Sequence, residues 1–221
     1  MNPPSAAVIG ADLSGIACAQ RLSAAGWQLR VFESQRAPGG RIATRRFEAA
    51  SFDHGAQYFS VREPSFHVAI ERARLAGMVE RWRPCWPRGD QERGELWVGS
   101  PGMNALPRFL SKGLDIEYVA RITRLERTRK GWMLIDDRGA GQLGRKLPEI
   151  MLSDTHLWRH ARVETALGEP FLLDQSGDLG FCGDWCLDAR VEAAFLSGDA
   201  IGKALSETRY TDSSGKMRDS R

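Results

Sequence analysis

Two glycines and an acid near the N-terminus have the spacing of a dinucleotide-binding turn. Gly10 and Gly15 bracket the segment GADLSG, and Glu33 follows roughly 20 residues later. In the fingerprint G-x-G-x-x-G, the glycines permit a tight turn that brings a helix N-terminus to a pyrophosphate, and the acid binds the adenosine ribose. The spacing therefore predicts dinucleotide binding by this stretch.

Asp12 occupies the place of the middle glycine of that fingerprint. The middle glycine normally lets the backbone approach the pyrophosphate closely. A carboxylate at this place would meet the phosphate charge, and it would also be a good N-cap for the following helix. We therefore expect Asp12 to cap the helix and to weaken cofactor binding.

The elements that must position these residues follow from hydrophobic patterning. The apolar run at residues 6–9 predicts a strand buried on both faces, residues 13–25 predict a helix ending before Gly26, and residues 28–33 predict a second strand. Further along, the pattern predicts helices at 63–76, 104–112 and 191–206, a short strand at 95–98 and a hairpin of strands 122–127 and 132–135. We expect one parallel sheet that contains the strands 6–9, 28–33, 116–118 and 179–183.

Composition excludes several classes of function. The chain has 221 residues, 42% of them hydrophobic, a formal charge of +3 and no apolar stretch long enough to span a bilayer. Its arginines are scattered, so neither nucleic-acid nor membrane binding is expected. The first residues do not resemble a signal peptide, and the four cysteines form no C-x-x-C pair, so we expect a cytoplasmic protein with reduced thiols and no metal site.

Two more motifs carry polar groups between glycines. The first is APGGR, where paired glycines precede Arg41, a side chain suited to an anion, and it is followed by DHGAQYF at residues 53–59. Small residues between aromatics suit a backbone that packs against a flat group. The second is a predicted strand that ends at Asp184 and leads through a predicted turn at residues 185–190 into the last helix.

Taken in order, GADLSG with Glu33, GGR with DHGAQYF, and GDWCLDARVEAAFLSG resemble the flavin amine-oxidoreductase superfamily, most closely its bacterial renalase-like members. The resemblance covers about residues 6–135 and 156–205. It implies an α/β fold with a doubly wound, Rossmann-like, FAD-binding parallel sheet, a β-hairpin insertion and a reduced substrate domain. It also implies an FAD-dependent oxidoreductase that transfers hydride to flavin from a small amine or a reduced pyridine such as NAD(P)H.

The resemblance also assigns cofactor contacts residue by residue. The positions expected around FAD are Gly10, Asp12, Ser14 and Gly15 at the pyrophosphate turn, Glu33 at the ribose, Gly40, Arg41 and Asp184 at phosphate or ribityl groups, Ala56 and Gln57 at the ring, Ile122 at adenine, and Val191, Glu192, Ala193 and Ala194 at the pyrimidine edge. No catalytic residue is assigned. A helix N-terminus at the pyrimidine edge would stabilise negative charge on reduced flavin.

The chain departs from the superfamily in its middle part. Members carry a substrate domain between the hairpin and a segment like residues 156–162, whereas here only residues 136–155 join them. We therefore predict an FAD/NAD(P)-binding-like domain at 1–206, in which 139–178 is a junction or remnant of the substrate domain, and a flexible polar tail at 207–221. Without most of the substrate domain a bound flavin would be open to water, and closure is what protects reduced flavin from side reactions. We therefore predict weak or no amine-oxidase turnover.

Two alternative functions stay open. The chain is either a truncated binding-only or inactive remnant of the superfamily with weak or no cofactor binding, or an NAD(P)-binding protein without flavin chemistry. A small-molecule substrate is expected in the enzymatic case, and the oligomeric state is not assigned. His156 and His160 have helical i, i+4 spacing but no third ligand, so a metal site is not favoured.

Overall fold

The structure is a computed structural model that describes residues 3–47, 50–84, 95–128, 131–137, 162–174, 177 and 179–208. The elements in chain order are β1 (Ser5–Ile9), α1 (Leu13–Ala24), β2 (Gln28–Glu33), β3 (Thr44–Phe47), β4 (Ala50–Asp53), β5 (Phe59–Ser60), α2 (Pro64–Leu75), β6 (Val79–Trp82), β7 (Leu96–Gly99), α3 (Ala105–Leu110), β8 (Ile116–Tyr118), β9 (Ile122–Thr128), β10 (Gly131–Asp136), β11 (Leu172–Leu173), β12 (Gly180–Phe181), α4 (Asp184–Leu187) and α5 (Val191–Thr208). A short 3₁₀ helix, Gly40–Ile42, follows β2.

The central sheet is parallel and has the strand order β1-β2-β8. Three of the four strands predicted for it are thereby confirmed. The prediction for residues 179–183 is wrong, because β12 pairs antiparallel with β11 in a separate sheet. A Cβ on Gly180 would lie 2.4 Å from Ile201 of α5 and 2.9 Å from Leu173 of β11. The missing side chain therefore lets β12 lie close to α5 and β11, and the apolar pattern alone did not reveal that partner.

One face of the central sheet is covered by helices. Val8, Leu29 and Val31 pack with Ala19 of α1 and with Ala11 of the turn before α1. On the opposite face of β1 and β2 the side chains are more accessible, and Ile9 is 49% exposed. The prediction that the first strand is buried on both faces is therefore wrong for the part of the chain described here. The polar side chains of β2 on that face, Gln28 and Arg30, are solvated instead.

Helix α1 packs against α5 at very short range. A Cβ on Gly198 would lie 2.0 Å from the carbonyl oxygen of Ser14, and one on Gly202 would lie 2.7 Å from Cβ of Arg21. Glycines four residues apart share one helix face, so they let α5 approach the backbone of α1. At its own C-terminus, α1 ends before Gly26, whose φ of +80° is the left-handed conformation expected there.

The main core joins the central sheet layer to a second group of elements. Ile16 of α1, Phe195 of α5, Phe66 of α2 and Trp97 of β7 belong to one cluster of buried side chains. Strands β5, β7 and β6 form an antiparallel sheet, and β3 with β4 and β9 with β10 form hairpins. The predicted hairpin and the predicted helices are confirmed, with ends shifted by up to two residues. One further difference is a short helix, α4, in place of the turn predicted after residue 184.

Several predictions fall on residues outside the described ranges. These include the histidines at 156 and 160, most of the junction at 139–178 and nearly all of the tail at 207–221. The proposed division into a domain, a junction and a tail therefore stays a prediction. In the described residues, no helix combines the length and apolarity needed to cross a membrane.

Candidate functional site

The turn between β1 and α1 has the tight geometry that its glycines predict. Gly10 has a φ of +103°, and a Cβ on Gly15 would lie 2.0 Å from the carbonyl oxygen of Gly10. Asp12 caps α1, because its Oδ1 accepts hydrogen bonds from the Gly15 amide at 2.9 Å and from the Ser14 hydroxyl at 2.8 Å. The predicted capping role of Asp12 is confirmed.

The carboxylate of Glu33 lies beside this turn. Glu33 is buried, and its Oε2 accepts a hydrogen bond from the Ala11 amide at 2.7 Å. Its Oε1 accepts from the Gln35 amide at 2.7 Å and from the Ser34 hydroxyl at 3.2 Å. Each carboxylate oxygen has two acceptor sites, so Glu33 is held in place and keeps capacity for a ribose hydroxyl.

The glycine pair after β2 closes over the same turn. The Gly39 amide donates to the carbonyl oxygen of Ala11 at 2.9 Å. Gly40 has a φ of +52°, and a Cβ on it would lie 2.9 Å from Cβ of Asp12. This contact explains the glycine at position 40, and it places the backbone just before Arg41 against the cap residue.

Arg41 and Asp184 bond to each other. Nη1 of Arg41 donates to Oδ2 of Asp184 at 2.6 Å, and Nη2 donates to Oδ1. The hydrogen bond to Asp184 is the main cause of the raised pKa of Arg41. Asp184 also accepts from the Trp185 amide at 2.9 Å. The structure thus brings together two residues predicted to contact the cofactor, but as partners of one another.

The DHGAQYF segment packs on the backbone of Arg41. The Ala56 amide donates to the Arg41 carbonyl at 2.8 Å, and a Cβ on Gly55 would lie 1.9 Å from that oxygen. Gly55 is therefore needed for the close approach of the two chains. Ala56 and Gln57 are held at the wall of a cavity by this contact.

Glu192, in the first turn of α5, is fully buried. Its Oε1 accepts from the amides of Arg62 at 2.7 Å and Glu63 at 2.8 Å, just before α2. Its Oε2 accepts from Arg190 at 2.9 Å, and Arg190 also donates to Asp188 at 2.6 Å. Glu192 therefore ties the start of α2 to the start of α5. The sequence assigned it only to the flavin edge, because nothing in the local pattern names a partner about 130 residues away.

A cavity of about 970 Å³ lies between these segments. The predicted site residues that line it are Asp12, Arg41, Ala56, Gln57, Asp184, Val191, Glu192 and Ala194. Those that do not line it are Gly10, Ser14, Gly15, Glu33, Gly40, Ile122 and Ala193. The cavity walls also contain Tyr58 of the DHGAQYF segment. Four basic residues of the lining were not singled out for a site from the sequence, namely His54, Arg62, Arg162 and Arg190.

Several non-lining residues support the cavity from behind. Ser14 and Ala193 are buried at 2% and 0% exposure. The backbone before Ile122 passes beside Glu33, since the Ala120 amide donates to the Glu33 carbonyl at 2.9 Å. Val119, just before this contact, has a φ of +59°, an uncommon conformation for a β-branched residue. The structure thus brings the residue assigned to adenine near the residue assigned to ribose.

The three cysteines in the described ranges, Cys18, Cys182 and Cys186, behave as core residues rather than reactive groups. Cys18 and Cys186 are buried, and Cys182 packs against the cluster that contains Cys18. Burial raises the pKa of the Cys18 thiol to about 12, and burial also raises the pKa of Cys182. Thiols with raised pKa values are poor nucleophiles. In the described ranges, no three His, Cys, Asp or Glu side chains are grouped in a way that could hold a metal ion.

Comparisons with known proteins agree with this architecture. Residues 8–69 match the family described as NAD(P)-binding Rossmann-like domain. Over 60 residues the chain is 38% identical to a hydroxyneurosporene desaturase of Cereibacter sphaeroides, a match that covers 27% of this chain and 12% of the desaturase. The N-terminal region of the chain is therefore similar to Rossmann-like dinucleotide-binding domains.

Among solved structures, a protein from Exiguobacterium sp. 255-15 assigned as a protoporphyrinogen oxidase superposes with a TM-score of 0.51 at 11% identity, over 64% of this chain and 58% of that one. A variant of putrescine oxidase gives a TM-score of 0.47 at 12% identity over 62% and 55% of the two chains. The first superposition supports the Rossmann-like α/β fold with its parallel sheet. The chain spans little more than half of that structure and about an eighth of the desaturase.

Proposed function

We propose that this chain is an FAD-binding oxidoreductase module that accepts hydride from a small molecule. The observation that carries the proposal is the cavity of about 970 Å³, which gathers predicted cofactor residues from separate parts of the chain. Asp12 comes from the β1–α1 turn, Arg41 from the 3₁₀ helix, Gln57 from the following loop, Asp184 from α4 and Val191 from α5. A volume of this size is in the range that encloses a cofactor-sized ligand.

Part of the site fits a dinucleotide well. Gly10 and Gly15 supply the tight turn and the close approach of helix to strand that the fingerprint requires. Glu33 stands at the end of β2 with acceptor capacity for a ribose hydroxyl, and its charge disfavours a 2′-phosphate. These observations support FAD or NAD over NADP at the adenosine end.

The phosphate end fits less well. Asp12 already accepts the hydrogen bond of the Gly15 amide, which would otherwise be available to a pyrophosphate. Arg41, which the resemblance assigns to a phosphate or ribityl group, is bonded to Asp184. We therefore propose that FAD binding is weak, because it must displace a cap and open an ion pair.

The flavin, when bound, would supply the hydride acceptor. The residues of this chain position and stabilise it. Val191 and Ala194 place the N-terminus of α5 at the cavity wall, where the helix dipole favours negative charge. Glu192 fixes that N-terminus against the start of α2. Ala56 and Gln57 present backbone to a flat ring at the opposite part of the lining.

The hydride donor is proposed from the sequence motifs. They favour a renalase-like protein, with a small amine or a reduced pyridine such as NAD(P)H as donor. We also propose that the site takes a small molecule rather than a nucleic acid or a membrane, and that the protein acts in the cytoplasm.

A second candidate function is that of a binding-only or inactive remnant with weak or no cofactor binding. The Asp12 cap and the Arg41–Asp184 pair favour it, since both satisfy groups that a cofactor would otherwise use. The match of residues 8–69 to an NAD(P)-binding family favours a related variant, nucleotide binding without flavin chemistry. The remnant differs from the first proposal in that it transfers no hydride, and the NAD(P)-binding variant differs in that it binds no flavin.

The absorbance spectrum of the purified full chain, recorded with and without added FAD, tests the proposal. Bands near 370 and 450 nm that stay with the protein through a desalting column would support a flavoprotein. A folded protein that retains no excess flavin in equilibrium dialysis against about 100 µM FAD would exclude a flavoprotein with Kd below about 100 µM. Repeating the dialysis with NAD separates nucleotide binding from flavin binding.

A further inference from the structure

Two arginines line the cavity without a bonding partner. Arg62 precedes α2, and Arg162 lies on a different segment of the chain. In the described part of the chain, neither guanidinium group makes a hydrogen bond or ion pair. Both side chains are exposed, so they stand at the rim where the cavity meets water. By contrast, the lining arginines Arg41 and Arg190 are paired with carboxylates.

Two of the three carboxylates in the lining, Asp184 and Glu192, are paired with guanidinium groups. Asp12 accepts from the Gly15 amide and the Ser14 hydroxyl, and Asp184 accepts from Arg41. Glu192 accepts two backbone amides and a guanidinium. An ammonium group entering the cavity would therefore find one lining carboxylate without a cationic partner, that of Asp12, and it would meet four arginines. An anion would find two uncommitted guanidinium groups.

Arg62 is also anchored more firmly than an ordinary surface arginine. Its amide donates to the fully buried carboxylate of Glu192 at 2.7 Å, so its backbone is tied to the first turn of α5. That helix has 18 residues and begins at the cavity wall, and its dipole adds positive potential at the same place. An anion bound by Arg62 would be held next to the cavity rather than at a distant point of the surface.

We infer that the substrate of this site carries a carboxylate or phosphate group, which Arg62 and Arg162 bind at the rim while the reacting part enters the cavity. The inference rests on the proposed function, and it narrows the donor from the two classes considered above. Of those, a small amine cation does not match the charges of the lining. A donor that carries anionic groups matches them, because guanidinium groups bind carboxylate and phosphate oxygens in paired hydrogen bonds.

The test measures anion binding directly. Inorganic pyrophosphate and citrate, as phosphate and carboxylate probes, are titrated by calorimetry into the FAD-loaded full chain at low ionic strength. The variants are Arg62→Ala and Arg162→Ala. The matched control is Arg72→Ala, an exposed arginine of α2 that does not line the cavity. The probe that binds more tightly identifies which anionic group the rim prefers.

We expect Arg62→Ala and Arg162→Ala each to weaken binding of the preferred probe by about tenfold, as for loss of a charge-assisted hydrogen bond. Arg72→Ala should change it by less than about twofold, and binding should weaken with salt. FAD affinity should be the same in all four proteins. A loss of FAD affinity in the rim variants would overturn the inference, since the arginines would then belong to the cofactor site.

Two other results would also overturn it. One is that all three variants bind pyrophosphate and citrate as tightly as the wild-type protein does. The other is tighter binding of benzylamine than of either anion. If the chain binds no FAD at all, the proposed function fails, and the same titrations on FAD-free protein still report whether the two arginines form an anion site. Failure of the inference is thus distinguishable from failure of the function.

Discussion

Replacing Asp12 with glycine should strengthen FAD binding and lower the stability of the FAD-free protein. In the structure the Asp12 carboxylate caps α1 by accepting from the Gly15 amide at 2.9 Å, and its Cβ lies against Gly40. A pyrophosphate bound at this turn would have to take over the same amide and approach the same charge. The substitution Asp12→Gly removes both obstacles and restores the middle glycine of the fingerprint.

The expected magnitude follows from two competing terms. Two unit charges about 4 Å apart repel by about 4 kcal/mol at an effective dielectric of about 20, and partial exposure of Asp12 lowers this. Displacing the cap adds about 0.5–2 kcal/mol. A net penalty of about 2–4 kcal/mol corresponds to about 30- to 1,000-fold in affinity. Allowing for the extra flexibility of glycine, we expect Asp12→Gly to tighten binding at least about tenfold.

Flavin fluorescence quenching, titrated in parallel with wild type, measures the affinity, and thermal unfolding without FAD measures stability. Loss of the cap should lower the melting temperature by about 2–4 °C per kcal/mol lost. The control Asp12→Asn keeps a cap while removing the charge, so it separates the two terms. Equal FAD affinities for wild type and Asp12→Gly would refute the reasoning, because the bound phosphate would then not approach this residue.

Three further outcomes test the structure. Asp184→Asn should lower the free energy of unfolding by about 1–3 kcal/mol in urea titrations, because Asp184 is buried and bonded to Arg41; an unchanged midpoint would contradict that bond. Burial raises the pKa of the Cys18 thiol from 9.0 to about 12. The protonated thiol therefore contributes fully to stability below pH 9, and this contribution is lost as the pH rises toward 12. Cys18→Ala should flatten the fall in the free energy of unfolding measured between about pH 9 and 11. Gly198→Ala should destabilise by about 1–3 kcal/mol, more than Gly26→Ala, which meets only backbone strain; equal melting temperatures would argue against the close α1–α5 contact.

Local features of the fold could be predicted from the sequence because their causes are local. The Asp12 cap depends on an amide three residues away, and the left-handed Gly26 follows a predicted helix end. The parallel pairing of β1, β2 and β8 follows from alternating strand and helix patterns. In each case neighbouring residues carry the physical reason for the conformation.

The pairings within the site could not be predicted in the same way. Arg41 and Asp184 were each assigned to the cofactor, and only the folded chain shows that they satisfy one another across 143 residues of sequence. The partner of β12 was also missed, since an apolar run predicts a strand but not its neighbour. Arg62 and Arg162 looked like ordinary surface residues because their shared cavity exists only in the tertiary structure.

The close contact between α1 and α5 has a consequence for how the chain folds. The ion pair between Arg21 and Asp199 joins residues 178 apart, and Gly198 lies against the backbone of α1 near Ser14. Contacts of such long sequence separation form slowly, because the loop must close before they are gained. During synthesis α1 therefore emerges with the face that contacts α5 uncovered. That face stays uncovered until residue 202 of α5 has left the ribosome. Slower translation or a lower growth temperature should accordingly raise the soluble yield of this protein, even though neither changes the stability of the finished fold.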